Sequence, residues 1–215
     1  MFTKSWYRIL PNLLDKYDVL LYDYLGQKQS SQPDEPYHHD KFAEYLVQIM
    51  DEQGIEKIHP IGVSYGGFIA AEIGRLFDDR IHTLTLSGIL LTQETLFQMY
   101  QDLSLKFYKY DEPAFELYTH YLYEKIWGEE MASKIYGEKR EKMRQSFYDR
   151  YKDKQYCLIR LTEAQNELWE RLKEREENPY SDIETPTLLL VGEQDRALPQ
   201  WQQEKIIDII PNSRM

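Results

Sequence analysis

The period of the apolar positions changes several times along the chain, and each change marks an element. Trp6, Ile9, Leu10, Leu13 and Leu14 recur at three- and four-residue spacing, which predicts an amphipathic helix over residues 5 to 15 with Pro11 in its early turns. Asp18 to Asp23 is almost continuously apolar through Val19, Leu20, Leu21 and Tyr22, the pattern of a parallel strand buried on both faces. A polar stretch with prolines, 25 to 39, reads as a loop. Residues 40 to 53 then predict a helix, with Asp40 near its start, Phe42, Leu46, Ile49 and Met50 inward, and Gly54 as its stop. Ile58, Ile61 and Val63 make a short strand that runs directly into a helix striped with Gly66 or Gly67, Ala70 or Ala71, and Gly74.

Further strands are predicted over Ile81 to Leu86, with Ser87 and Gly88 at the carboxyl end, and over Thr187 to Val191 behind Pro186. A last helix over 200 to 210 turns Trp201, Ile206, Ile207 and Ile210 inward and stops at Pro211. Strict strand and helix alternation predicts an α/β protein, a parallel sheet with crossover helices. Ligands of such sheets bind at the carboxyl ends of the strands, where Ser64, the Asp23 to Gly26 loop, Ser87 and Gly88, and Asp195 all fall.

Thr92 to Asn178 breaks the alternation. It is rich in Glu and Lys, holds ten tyrosines between Tyr100 and Tyr156, and repeats its rings at helical spacing, as at Tyr118, Tyr121 and Leu122. Such stripes are mostly internal packing, and the rest can line an apolar pocket. Charge runs such as Glu138 to Lys142 are solvated helix faces with i, i+4 pairs.

Composition narrows the possibilities. A chain of 215 residues, 42% hydrophobic, suits one domain with a sizeable core. A formal charge of −11 argues against nucleic acid or an anionic membrane as partner, because both need clustered Lys and Arg. Cys157 stands alone, so neither an internal disulfide nor a cysteine zinc site is expected, and it reads as a packed thiol on a helix. With no apolar run near 18 residues and no hydrophobic leader, the expectation is a cytoplasmic protein.

The chemistry is signalled at Gly62-Val63-Ser64-Tyr65-Gly66. A serine at a tight turn between strand and helix has its hydroxyl thrust clear of the backbone, and the flanking glycines are expected where a Cβ would collide with a neighbouring element. The helix that follows brings its amino-terminal amides beside the serine, and the Tyr65 N–H is placed to receive an oxyanion. A nucleotide loop would need glycine at position 64 or a Gly-Lys-Ser/Thr ending, and the chain has neither.

Taken together these features resemble the α/β-hydrolase fold superfamily, in its lidded serine-hydrolase branch of esterases and lactonases. Asp23-Tyr24-Leu25-Gly26 with Ser30 resembles the family's Asp-x-x-Gly-x-Gly-x-Ser loop, with Lys28 where the second glycine is usual. Gly192-Glu193-Gln194-Asp195 with Pro199 resembles the loop carrying the triad acid, and Trp6 with Leu10, Pro11, Leu13 and Leu14 resembles the family's first helix. The resemblance implies core segments over 1–91 and 179–215, with 92–178 inserted between them as a helical lid. It implies Ser64 as nucleophile, Asp195 as triad acid, and Tyr24, Leu25, Ser87 and Gly88 on the substrate side. It further implies a small acyl substrate hydrolysed through an acyl-enzyme, with no cofactor and no metal.

Family order places the catalytic histidine after the acid, beyond Met215, and the first three strands before Trp6. The expectation is therefore a chain truncated at both ends and weak or inactive by itself, or else a shortened fold in which the Asp18 strand pairs with the Ile58 strand. A binding protein without catalysis, an acyltransferase and a carbon–carbon bond hydrolase are the alternatives at the same site.

Overall fold

In the computed structural model, which describes residues 3–215, the sheet is built from four parallel strands in the order β1 (Ile61–Val63), β2 (Leu84–Ser87), β3 (Thr187–Leu190) and β4 (Ser213–Arg214). The register pairs Val63 with Ser87, Ser87 with Leu190, and Leu188 with Arg214. One isolated parallel bridge, Ile58 with Ile81, extends the β1–β2 contact toward the amino end. β2 alternates buried Leu84 and Leu86 with half-exposed Thr85 and Ser87, as a strand with period two must.

Helix α2 (Tyr65–Leu76) lies on β1 and β2, and helix α1 (His39–Glu52) packs against α2. α1 buries Phe42, Leu46 and Met50, with Ile49 partly exposed, and ends at Gly54, whose φ of +67° lets the chain reverse. α2 is buried from Gly67 through Gly74 because its small side chains admit the backbone close to the strands. At Gly74 an added Cβ would sit 3.1 Å from Leu84 Cδ2 and 3.2 Å from Ile183 Cδ1.

Between β2 and β3 lie five helices: α3 (Thr95–Lys109), α4 (Glu112–Glu124), α5 (Glu129–Ile135), α6 (Glu138–Tyr151) and α7 (Gln155–Lys173). They carry a second apolar cluster of their own, with Tyr108, Phe115, Tyr118, Tyr151 and Leu158 buried together. The segment is not cleanly separate from the sheet's core. α7 gives Leu158 to the second cluster but Leu161, Ala164, Leu168 and Trp169 to the main one. Cys157 is buried on α7, as expected for a packed thiol. Two short helices, α8 (Gln200–Gln203) and α9 (Lys205–Ile209), lead from β3 to β4.

Four expectations are corrected. Residues 5 to 15 form no amphipathic α-helix: 3-10 turns run over Thr3–Arg8 and Leu10–Asn12, with Ile9 and Leu14 exposed and Trp6, Leu10 and Leu13 only partly buried. Asp18 to Asp23 is extended but makes no ladder, neither with the sheet nor with the Ile58 segment; its attachments include the Tyr22 hydroxyl donating to the Phe42 carbonyl at 3.2 Å and the Tyr17 ring against His59. An extended run becomes a strand only where a neighbour offers its backbone groups, and the apolar pattern alone does not report that. β1 is accordingly an edge strand, and Ile61 is 43% exposed. Trp201, expected on a buried face, is 59% exposed, because the helix over 200 to 210 breaks at Glu204 and only Ile206 and Ile210 keep the inward direction.

Candidate active site

Ser64 stands between the end of β1 and the start of α2 with φ 54° and ψ −129°, a conformation that L-residues avoid and that costs on the order of 1–3 kcal/mol. The turn is held from below. The Ser64 N–H donates to the Ser87 carbonyl at 2.8 Å, and the Ser64 carbonyl accepts the Gly67 N–H at 2.7 Å. Ser64 is exposed, and the Tyr65 amide lies at the open end of α2, where the first N–H groups of a helix have no intrahelical acceptor and the dipole favours negative charge.

The glycines around the turn divide differently from the sequence expectation. At Gly62 a Cβ would meet the Gly66 carbonyl oxygen at 2.5 Å and both Ala70 Cβ and Gly67 Cα at 2.6 Å, and at Gly67 it would meet Ile89 Cγ2 at 2.3 Å. At Gly66 nothing lies within 4 Å. Gly62 and Gly67 are therefore the close-approach residues that let α2 lie on β1 and β2, and Gly66 is not.

Asp195 follows β3, and β2 separates β3 from β1. Strand ends two places apart in one sheet are about 10 Å apart laterally. Ser64 and Asp195 both follow the carboxyl ends of strands of the same sheet, β1 and β3. The Asp195 carboxylate accepts the Ala197 and Leu198 amides through Oδ1 at 3.0 and 2.9 Å. Burial raises its pKa above the ordinary carboxylate range, and those two amides oppose the rise.

The other expected site residues fall around the turn. Ser87 and Gly88 lie directly beneath Ser64, Ser87 through its carbonyl and Gly88, at φ +61°, with its Cβ direction 3.8 Å from the Ser64 nitrogen. Tyr24 is buried, stacked on the Tyr65 ring at 5.2 Å and tilted against Phe42 at 5.4 Å; Leu25 is half-buried beside that cluster. The loop beyond is pinned by the Ser30 hydroxyl donating to the Asp23 carbonyl and by the Gly26 N–H donating to the Ser31 carbonyl. Lys28 takes φ 48°, the left-handed geometry that glycine favours.

None of the five histidines joins Ser64 to Asp195. His38 pairs with Glu167 at 2.8 Å. His59 bonds Thr83 and lies 5.0 Å from His82, ahead of the amino ends of β1 and β2, the opposite edge of the sheet. His120 is exposed on α4. His39 is buried among Tyr65, Phe42 and Phe68, and burial lowers its pKa to about 3.

Two features carried no sequence signal. Glu72, fully buried on α2, binds Arg75 at 2.5 Å and accepts the Tyr180 hydroxyl at 2.5 Å, which ties the helix behind Ser64 to the segment before β3. The residues on either side of Asp195 are held by the first turn of α5 and by the turn between α4 and α5.

Comparison with known proteins gives a consistent family. Over 106 residues the chain is 30% identical to the uncharacterized carboxylesterase nap of Bacillus subtilis (strain 168), a match covering 49% of this chain and 33% of that protein. The chain thus spans about a third of the length of that relative. Among solved structures it resembles MGS-M2, an alpha/beta hydrolase enzyme from a Medee basin deep-sea metagenome library, at TM-score 0.86 and 24% identity, covering 100% of this chain and 75% of that one. The enol-lactonase from Burkholderia xenovorans LB400 superposes at TM-score 0.77 and 17% identity, covering 99% and 76%. These structural likenesses show the fold. The pattern of the alpha/beta hydrolase fold family matches residues 3–215, and the chain belongs to that family.

Proposed function

We propose that this chain carries the nucleophile and acid of a serine hydrolase acting on a small carboxylic ester, lactone or related acyl compound. Ser64 attacks the carbonyl carbon, the carbonyl oxygen becomes an oxyanion taken up by the Tyr65 amide, and the alcohol leaves with a proton, giving an acyl-enzyme that water then cleaves. Asp195 orients an imidazole that takes and returns that proton. The observation that carries this is the backbone of Ser64, held at φ 54° and ψ −129° with its side chain exposed at the amino end of α2. The partial match to a carboxylesterase supports the ester class.

Because no histidine is hydrogen-bonded to Ser64 among the described residues, the base is tested by adding imidazole to the protein. Mass spectrometry after fluorophosphonate treatment is expected to find an adduct on Ser64 that forms slowly alone, faster with imidazole, and not in Ser64→Ala. With His38 held by Glu167 and His39 buried among aromatic rings, a second reading is a protein that binds acyl compounds without turning them over. A folded chain whose Ser64 stayed unmodified at every imidazole concentration would select it.

A further inference from the structure

The triad-acid loop is gripped from the inserted helices. Gln194 and Arg196, the two neighbours of Asp195, bond to the first turn of α5 and to the turn between α4 and α5 respectively. Gln194 Oε1 accepts the Glu130 N–H at 3.2 Å, so a residue distant in sequence caps the first turn of α5. The Arg196 N–H donates to the Ile126 carbonyl at 3.2 Å. Between these bonds sits Gly128, buried, where an added Cβ would be 2.3 Å from Gln194 Cβ and 2.7 Å from both the Gln194 carbonyl oxygen and Oε1. Gly128 has φ −74°, so it is required for space and not for backbone freedom. The turn is itself firm: the Tyr123 carbonyl accepts the amides of Ile126 and Trp127, and the Trp127 ring stacks on Tyr123 at 4.5 Å and 11°.

The geometry points to Gly128 and Gln194 as positioning residues for Asp195. The close approach at Gly128 fixes the backbone on one side of Asp195 and the Ile126 carbonyl fixes the other. The loop can then fold its own Ala197 and Leu198 amides onto the carboxylate. The inserted helices and the carboxylate move as one body, so displacement of the α4–α5 turn withdraws the carboxylate from the edge that Ser64 occupies. The catalytic side of this inference rests on the functional reading above.

The test follows the whole chain by hydrogen exchange at the Ala197 and Leu198 amides and by 13C titration of the Asp195 carboxyl. Gly128→Ala is expected to speed exchange at both amides at least tenfold and to bring the carboxyl midpoint down toward the ordinary range as it returns to water. Adding Gln194→Gly, which removes the side chain the alanine meets, should restore part of both. Unchanged exchange and titration in a folded Gly128→Ala protein overturns the inference. If that variant does not fold, Gln194→Ala is measured the same way: several-fold faster exchange supports the inference and parent-like exchange overturns it. Imidazole-assisted labelling of Ser64 separates the two claims. A loosened loop with parent-like labelling, matched by parent-like labelling in Asp195→Asn, refutes the role of Asp195 in Ser64 chemistry and leaves only an anchored loop.

Discussion

Gly62→Ala asks whether α2 really lies on β1 at the turn that presents Ser64. The added methyl would stand 2.5 to 2.6 Å from the Gly66 carbonyl oxygen, Gly67 Cα and Ala70 Cβ. Two of those atoms are backbone, so no rotamer change relieves the overlap, and the helix must withdraw by roughly an ångström or the turn must open. Overpacking of this kind costs about 3 kcal/mol. Alanine's smaller unfolded-state entropy returns about 0.5–1 kcal/mol, which leaves a net loss of about 2 kcal/mol. For a chain of this size that lowers Tm by about 4–8 °C. Gly66→Ala is the control: its Cβ meets nothing within 4 Å and the residue is helical, so it should be neutral or stabilising by up to about 1 kcal/mol. Thermal unfolding followed by circular dichroism reads both. Parent-like stability in Gly62→Ala, or equal damage from Gly66→Ala, would refute the close packing of helix on strand.

Further outcomes follow from the same structure. Ser64→Gly should raise stability by about 1 kcal/mol, because glycine adopts φ 54° and ψ −129° without the strain a Cβ imposes, whereas Ser64→Ala should not; paired melts check this. Glu72→Ala should cost about 3 kcal/mol in chemical denaturation, since it leaves the partly buried Arg75 guanidinium and the buried Tyr180 hydroxyl without their carboxylate. His39 has a folded pKa near 3, below its unfolded value, so the unfolded chain binds the proton first. Its contribution is complete above about pH 6.5 and is lost as pH falls toward 3, a loss of about 2 kcal/mol at pH 5. In His39→Phe the acid limb of the stability profile should be shallower by that amount; an unchanged limb would show that the ring is not buried neutral.

Much of the fold was legible because it is written in local periodicity. The Ile58 to Val63 run, the small-residue stripe of α2 and the Gly-x-Ser-x-Gly spacing marked a strand, a turn and a helix in the right places, and the apolar runs at Ile81 to Leu86 and Thr187 to Val191 marked β2 and β3. The pattern was silent wherever a neighbour decides the outcome. Val19 to Tyr22 has the composition of a buried strand, yet it makes no ladder and is tied by the Tyr22 hydroxyl donating to the Phe42 carbonyl. Trp201 sits at helical spacing from buried isoleucines, but a break at Glu204 turns it outward. At the site, the Gly-x-Ser-x-Gly spacing singled out Ser64 and the family resemblance singled out Asp195, whereas which glycines make contact depended on the crossing of α2 over the strands. Gly128 and Gln194 lie 66 positions apart, and no sequence period links a lone glycine between helices to a glutamine in a loop.

The central claim is that the hydroxyl of Ser64 is the reactive group at the carboxyl edge of this sheet. Intact-mass analysis with peptide mapping after fluorophosphonate treatment, with and without imidazole, measures it directly. The expected result is a single adduct on Ser64 whose rate rises with imidazole and which disappears in Ser64→Ala. A folded protein that stays unlabelled throughout, or that is labelled at another residue, would contradict it.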